Sequence, residues 1–128
     1  MFDHAPVLHV DGHPTACRVA TARSFAQRAR GLLWRAPLQS QQGLWITRCA
    51  SIHTVGMAYA IDVAFLDEEG RVLRVCAHVA PWRFRWRLGA SEVLELRAGQ
   101  ARALGIEAGC RIARHNPDMP PHSTSRAH

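Results

Sequence analysis

The sequence contains no lysine, no long apolar run and no C-x-x-C pair. All 16 basic residues are arginine, a total bias that we attribute to genome composition. No apolar stretch reaches the roughly 18–20 residues that cross a bilayer. The N-terminus lacks the basic and apolar regions of a signal peptide. We therefore expect a cytoplasmic protein with no transmembrane segment.

Sequence motifs for known catalytic sites are also missing. There is no G-x-S-x-G elbow, phosphate loop, dinucleotide fingerprint, H-E-x-x-H motif or zinc-finger spacing. No catalytic residue is therefore predicted. The four cysteines are far apart in the chain, and a reducing compartment would keep them as thiols, so we expect structural core residues (Cys17, Cys49, Cys76 and Cys110).

What the chain does contain is enough for one domain with a real core. It has 128 residues, of which 48% are hydrophobic and 20% charged, and its formal net charge is +6. Residues 12–61 include six arginines and no acidic residue. Such a surface could meet an anionic partner, but a solvated basic face with no partner is the preferred interpretation.

Short alternating segments separated by turn residues predict about six or seven strands, and two short helices accompany them. The strands are Val7–Val10, Ala16–Ala20, Gly43–Ile46, Ile61–Leu66, Arg71–Val79, Glu92–Arg97 and Cys110–Ala113. One helix follows Thr21, and the other is Ala98–Leu104. In Arg71–Val79 the apolar set that begins at Leu73 should face the core.

This pattern predicts a mostly β (α+β) fold, a small antiparallel barrel or sandwich. We expect residues 1–15 to be an N-terminal extension, residues 16–113 a single domain, and the polar, proline-rich residues 114–128 a disordered tail.

Four motifs, in order, resemble the domain of unknown function 192 family, a group of small bacterial and archaeal proteins. They are Arg28–Leu38, Gly43–Ile46, Ala60–Asp67 and Val93–Gly109. The resemblance implies a compact, mostly β fold and no established activity. One segment departs from the family pattern, because Ile52–Met57 stands where typical members carry aromatic-Met-Lys-Asn-Thr. Whatever that segment does in relatives cannot be transferred to this chain.

The departing segment has the densest set of metal-ligating side chains. Cys49, His53 and Met57 are spaced i, i+4, i+8, and thiolate, imidazole and thioether would suit Cu(I), or Zn(II) without the methionine. A metal ion is therefore possible, but Gly56 argues against the two helical turns that would align the three. A packed structural loop is the alternative.

Two carboxylates, Asp62 and Glu95, lie inside predicted strands and would need partners if they are buried. Arg28 or Arg35 is the natural partner. With His53 these residues could bind a polar small molecule in a cleft, or the acids could form structural ion pairs.

The run Trp82–Arg87 alternates aromatic residues with arginines. If exposed, its aromatic side could stack on bases, meet a membrane interface or bind a protein. No nucleic-acid-binding fold is recognised, so nucleic acid is the least favoured partner. Alternatively, the aromatic side chains pack onto the barrel and the arginines point to water.

The preferred hypothesis is a small binding or accessory domain with a ligand cleft near the Cys49–Met57 loop. The alternative is an interaction protein that uses the Trp82–Arg87 ribbon on an anionic partner. An enzyme of unrecognised type is the third.

Overall fold

The computed structural model describes residues 2–22 and 37–116, in which the chain forms nine strands and one short helix. The strands are β1 (Val7–Val10), β2 (His13–Ala22), β3 (Gln42–Thr47), β4 (Ser51–His53), β5 (Ile61–Leu66), β6 (Val72–Val79), β7 (Phe84–Trp86), β8 (Glu92–Arg97) and β9 (Ile112–His115). The helix, α1, is Gln100–Ala103.

Seven strands form one sheet in the order β6-β5-β8-β3-β2-β1-β9, and β4 pairs with β7 in a separate two-stranded ribbon. β2 and β3 are parallel, whereas the other pairs are antiparallel. A parallel pair needs a crossover connection. Residues 23–36 of that connection lie outside the described part, and so does most of the helix predicted after Thr21. Thr21 itself belongs to β2. Only one of the two expected helices is therefore seen in the described residues.

The mostly β class is confirmed, but the predicted closure into a barrel is wrong. β6 and β9 are the two edge strands of the sheet. One isolated bridge connects them, between Arg71, which precedes β6, and Arg111, which precedes β9. There the Val72 N–H donates to the Cys110 carbonyl at 2.8 Å. A closed barrel needs a continuous ladder between its last two strands, and one bridge does not provide it.

The central strands are buried on both faces of the sheet, which explains why β5 is apolar at nearly every position and is buried throughout. Because side chains alternate along a strand, the core divides into two clusters. The helix-side cluster includes Ala64, Leu94 and Ala101 of α1. The ribbon-side cluster includes Ile52 of β4, Val63 and Phe65 of β5, and Val93 of β8.

The core-facing side of β6 differs from the prediction. Val72, Cys76 and Val79 are buried, whereas Ala77 is exposed. The register between β5 and β6 shifts twice, so strict alternation fails along β6. His78 has a positive φ of 52° beside one of these shifts.

The sheet begins earlier and ends later than the predicted domain boundaries of 16 and 113. β1 pairs with both β2 and β9, and β9 runs to His115. The tail predicted to be disordered falls mainly on residues 117–128, outside the described part. Among the described residues, no helix is long and apolar enough to cross a membrane.

Candidate functional site

Asp62 is a buried carboxylate whose partners are backbone amides. Its Oδ1 accepts a hydrogen bond from the His78 N–H at 2.9 Å, and its Oδ2 accepts from the Gly99 and Ala101 N–H groups at 3.0 and 2.9 Å. Gly99 is the N-cap of α1, so the carboxylate of Asp62 takes the place of a capping side chain. This geometry fixes α1 and the β6 irregularity to β5, which is a structural role.

Glu95 is buried on the other face of the sheet. It lies opposite Val63 in the β5–β8 pairing, whereas Asp62 lies opposite Leu96 of the helix-side cluster. The pKa of the neighbouring Tyr59 hydroxyl is raised by burial and then by the charge of Glu95. The sheet therefore separates the two carboxylates, and they do not line one cleft. The arginines expected beside them, Arg28 and Arg35, lie outside the described residues.

Of the three candidate metal ligands, two share one apolar cluster and the third does not. Met57 is buried in the ribbon-side cluster, and Cys49 packs against that cluster while its thiol donates to the Ser51 carbonyl at 2.9 Å. His53 is exposed in β4, and its Nδ1 accepts from the Val55 N–H at 3.2 Å. Within residues 2–22 and 37–116, no group of three or more His, Cys, Asp or Glu side chains could hold a metal ion.

Cys49 also borders an open cavity of about 480 Å³ at the end of the sheet. The cavity brings the half-buried thiol near side chains of both charges, Arg48 and Glu92 among them, with Glu68 and Ser91 also on its wall. The Glu92 carboxylate is already engaged there, because its Oε1 accepts from the Trp45 indole N–H at 2.8 Å. Such a cavity could admit a small polar molecule.

The most unusual surface is the segment between β6 and β8. Its four large apolar side chains, which we call the aromatic patch, are exposed to solvent: Trp82 64%, Phe84 62%, Trp86 59% and Leu88 81%. The alternative interpretation, in which these aromatic side chains pack onto the barrel, is therefore wrong. Large exposed apolar patches on a small protein usually mark an interaction site.

The ribbon register explains which side chains are turned outward. Ser51 lies opposite Trp86, and His53 lies opposite Phe84, and all four are exposed. Between them, Ile52 is buried in the core. The ribbon thus uses one residue as an anchor and turns its aromatic side to solvent. The His53 and Phe84 rings are 6.1 Å apart, so the imidazole borders the aromatic patch.

A buried threonine, Thr54, holds the base of this ribbon in place. Its hydroxyl donates to the Ala80 carbonyl at 2.6 Å and accepts from the Arg83 N–H at 2.8 Å. Its carbonyl accepts from the N–H of Trp82, a residue with a positive φ of 64°. Sequence reasoning missed this residue, because a lone threonine in an irregular segment carries no periodic signal.

The charge around the aromatic patch has one sign. Residues 71–91 contain five arginines and no acidic residue. The guanidinium groups of Arg83, Arg85 and Arg87 donate to carbonyl oxygens of their own segment. The ion pair seen among the described residues, Arg111–Glu69, involves none of the three. Their positive charge is therefore not neutralised by a described carboxylate.

A family model covers most of the chain. Residues 7–114 match the model of DUF192, described as Uncharacterized ACR. The chain belongs to the DUF192 family. This confirms the resemblance of the four motifs and adds β1 to the matched region. No curated protein matches the chain.

Two solved structures resemble this DUF192 protein. One is a protein of unknown function from Novosphingobium aromaticivorans, 25% identical, with a TM-score of 0.74, covering 84% of this chain and 83% of its own. The other, from Sinorhizobium meliloti, is provisionally described as a transcription regulator. It is 20% identical, with a TM-score of 0.72, and covers 86% of this chain and 95% of its own. At that identity the likeness concerns the fold alone.

Proposed function

We propose that this DUF192 protein is a binding module that contacts an anionic partner through the aromatic patch and the arginines Arg83, Arg85 and Arg87. The observation that carries the proposal is the exposure of three aromatic side chains and Leu88 in one short segment. Keeping such side chains in water is unfavourable, so the free energy falls when a partner covers this surface. The arginines supply attraction to negative charge.

A heparin column tests this proposal, because heparin is a polyanion of no particular sequence or fold. We expect the wild-type protein to be retained, and the salt concentration needed for elution to fall in Arg83→Gln/Arg85→Gln. The matched control is Arg102→Gln/Arg111→Gln. Both double variants reduce the formal net charge from +6 to +4, since each removes two arginines. If both elute alike, the patch has no special role.

The aromatic side chains are tested by Trp82→Ala/Trp86→Ala. Because both indoles are about 60% exposed, truncating them removes little core packing. We therefore expect weaker retention at an unchanged melting temperature. A variant that unfolds at a clearly lower temperature would mean that these side chains stabilise the fold, contrary to the proposal.

A second candidate function is the binding of a small polar molecule in the cavity beside Cys49, with its charged walls of both signs. Calorimetric titration with a metabolite panel tests it, and a Cys49→Ser variant should abolish any heat that involves the thiol. The same titration with Cu(I) and Zn(II) tests the metal site proposed from Cys49, His53 and Met57. No heat with any of these would remove this candidate.

We also propose that the protein acts in the cytoplasm. Its four cysteines are free thiols in the structure, as a reducing compartment would keep them. Thiol titration of protein purified in the presence of a trapping reagent tests this, and oxidised cysteines would count against it.

A further inference from the structure

The aromatic patch has features that distinguish one kind of anionic partner from another. Phe84 and Trp86 lie on the outer side of the ribbon, while Arg85 lies opposite the buried Ile52 on the other side. The two rings of β7 and the Arg85 guanidinium group therefore leave the strand in opposite directions. A partner that meets both at once must be soft enough to surround the ribbon to some depth.

Leu88 adds a second distinction. Its side chain is the most exposed of the patch, at 81%, and follows the three aromatic residues in the sequence. A leucine has no π face for stacking on a base and no polar atom for contact with phosphate. Moving this side chain out of water lowers the free energy only if it enters an apolar environment, such as the boundary between headgroups and acyl chains.

The arginines fit the same environment. Long arginine side chains extend from an apolar surface and keep their charged ends at the level of the headgroups. Tryptophan and phenylalanine insert at the interface itself, and tryptophan is enriched there. The absence of any acidic residue from residues 71–91 removes the repulsion that an anionic bilayer would otherwise meet.

We infer that the aromatic patch docks on the surface of an anionic lipid bilayer. Its four apolar side chains would be inserted between headgroups, and Arg83, Arg85 and Arg87 would contact lipid phosphates. This inference rests on the proposed function, since it names the partner of that surface. The contact is peripheral and needs no membrane-spanning element.

The test uses the full chain with vesicles of phosphatidylcholine alone and of equal parts phosphatidylcholine and phosphatidylglycerol. We expect binding only to the anionic vesicles, with a blue shift of tryptophan emission and quenching by brominated lipid. Of the other two tryptophans, Trp45 is buried in the core and should not be quenched, and Trp34, outside the described residues, is replaced by phenylalanine in every protein tested. In that background Trp82→Ala/Trp86→Ala should abolish the effect. Each basic residue near an anionic membrane surface strengthens binding about fivefold. Arg83→Gln/Arg85→Gln should therefore bind about 25-fold more weakly, and the Arg102/Arg111 control much less so.

Leu88→Ser separates lipid from other anions. Vesicle binding should weaken about tenfold, because a leucine side chain no longer enters the apolar layer. Heparin retention should not change. Equal vesicle binding by Leu88→Ser and the wild type would overturn the inference, and so would equal binding to neutral and anionic vesicles.

Two further outcomes distinguish this inference from the proposed function. Patch-dependent binding to heparin or single-stranded oligonucleotide without vesicle binding would overturn the lipid assignment and leave the binding module standing. Sedimentation could instead show a dimer that Trp82→Ala/Trp86→Ala dissociates, with no vesicle binding. That result would overturn the lipid assignment, because the patch would then bind a second copy of this chain. No binding to heparin, oligonucleotide or vesicles would overturn both.

Discussion

Asp62→Ala is the substitution whose cost can be worked out most directly from the structure. The change removes a carboxylate that accepts three backbone hydrogen bonds, from His78, Gly99 and Ala101. An unpaired buried donor costs about 1–3 kcal/mol. The Ala101 N–H is fully buried, whereas water can reach part of the environment of the other two. We therefore expect a loss of about 3–5 kcal/mol, a large share of the roughly 5–15 kcal/mol that stabilises a domain.

Asp62→Asn preserves the shape of the side chain and so refines this prediction. Its single amide oxygen can keep the bonds to Gly99 and Ala101, but its NH₂ group then faces the His78 N–H. This half-buried donor loses its acceptor, so the loss should be about 1–3 kcal/mol. Urea unfolding followed by circular dichroism measures both variants, and an unchanged m-value would show that the unfolded state is the same.

Asp67 provides a matched control at the other end of the same strand. Its Oδ1 accepts from the Glu69 and Arg71 N–H groups at 2.9 Å each, but the residue is only half-buried and both hydrogen bonds lie at the surface. Water can replace those bonds, so Asp67→Ala should cost far less than Asp62→Ala. If the two substitutions cost the same, or if Asp62→Ala costs less than about 1 kcal/mol, the argument from buried amides is refuted.

Three further predictions concern the ribbon, a buried thiol and the contact between the two edge strands, β6 and β9. Thr54→Val should weaken heparin retention as far as Trp82→Ala/Trp86→Ala does, because the base of the ribbon loses the hydroxyl that holds it; unchanged retention would contradict this. Burial raises the pKa of the Cys17 thiol to about 11 from its ordinary value of 9.0. The unfolded state therefore ionises first, and the unfolding free energy should fall by about 2 kcal/mol between pH 9 and 11. Cys17→Ala should lack that part of the slope. Gly70→Ala should destabilise the fold more than Gly12→Ala in urea unfolding, since both have positive φ but only at Gly70 would a Cβ overlap a backbone carbonyl of β9. Equal losses of stability in the two variants would mean that β9 accommodates the added methyl group at position 70.

The strands predicted best are those that hydrophobic pattern and turn residues define locally. β5 and β8 match the predicted bounds, and the turn between β5 and β6 includes Gly70 with a positive φ of 85°. β6 was predicted in place, but the predicted strict alternation is wrong, because Val79 of the expected core-facing set is buried while Ala77 of the same set is exposed. One of its two register shifts lies beside the hydrogen bond from the His78 N–H to Asp62 of β5, a contact that no local pattern contains.

The candidate site divides in the same way. The alternation of Trp82–Arg87 was visible, but alternation states only that two sides differ, not which side meets water. Likewise, the spacing of Cys49, His53 and Met57 suggested a ligand set, while the structure places His53 in solvent and Met57 in the core. Both outcomes depend on what the rest of the chain packs against these residues.

By itself, the sequence determined the family, the β class, most strand positions and the excess of positive charge around an alternating aromatic run. These properties follow from residues that are close along the chain. Only the tertiary structure decided that the sheet stays open, that Asp62 and Glu95 lie on opposite faces, and that the aromatic patch is exposed. The physical reason is that pairing across the sheet selects which side of each strand is buried, and that choice depends on residues far apart in sequence.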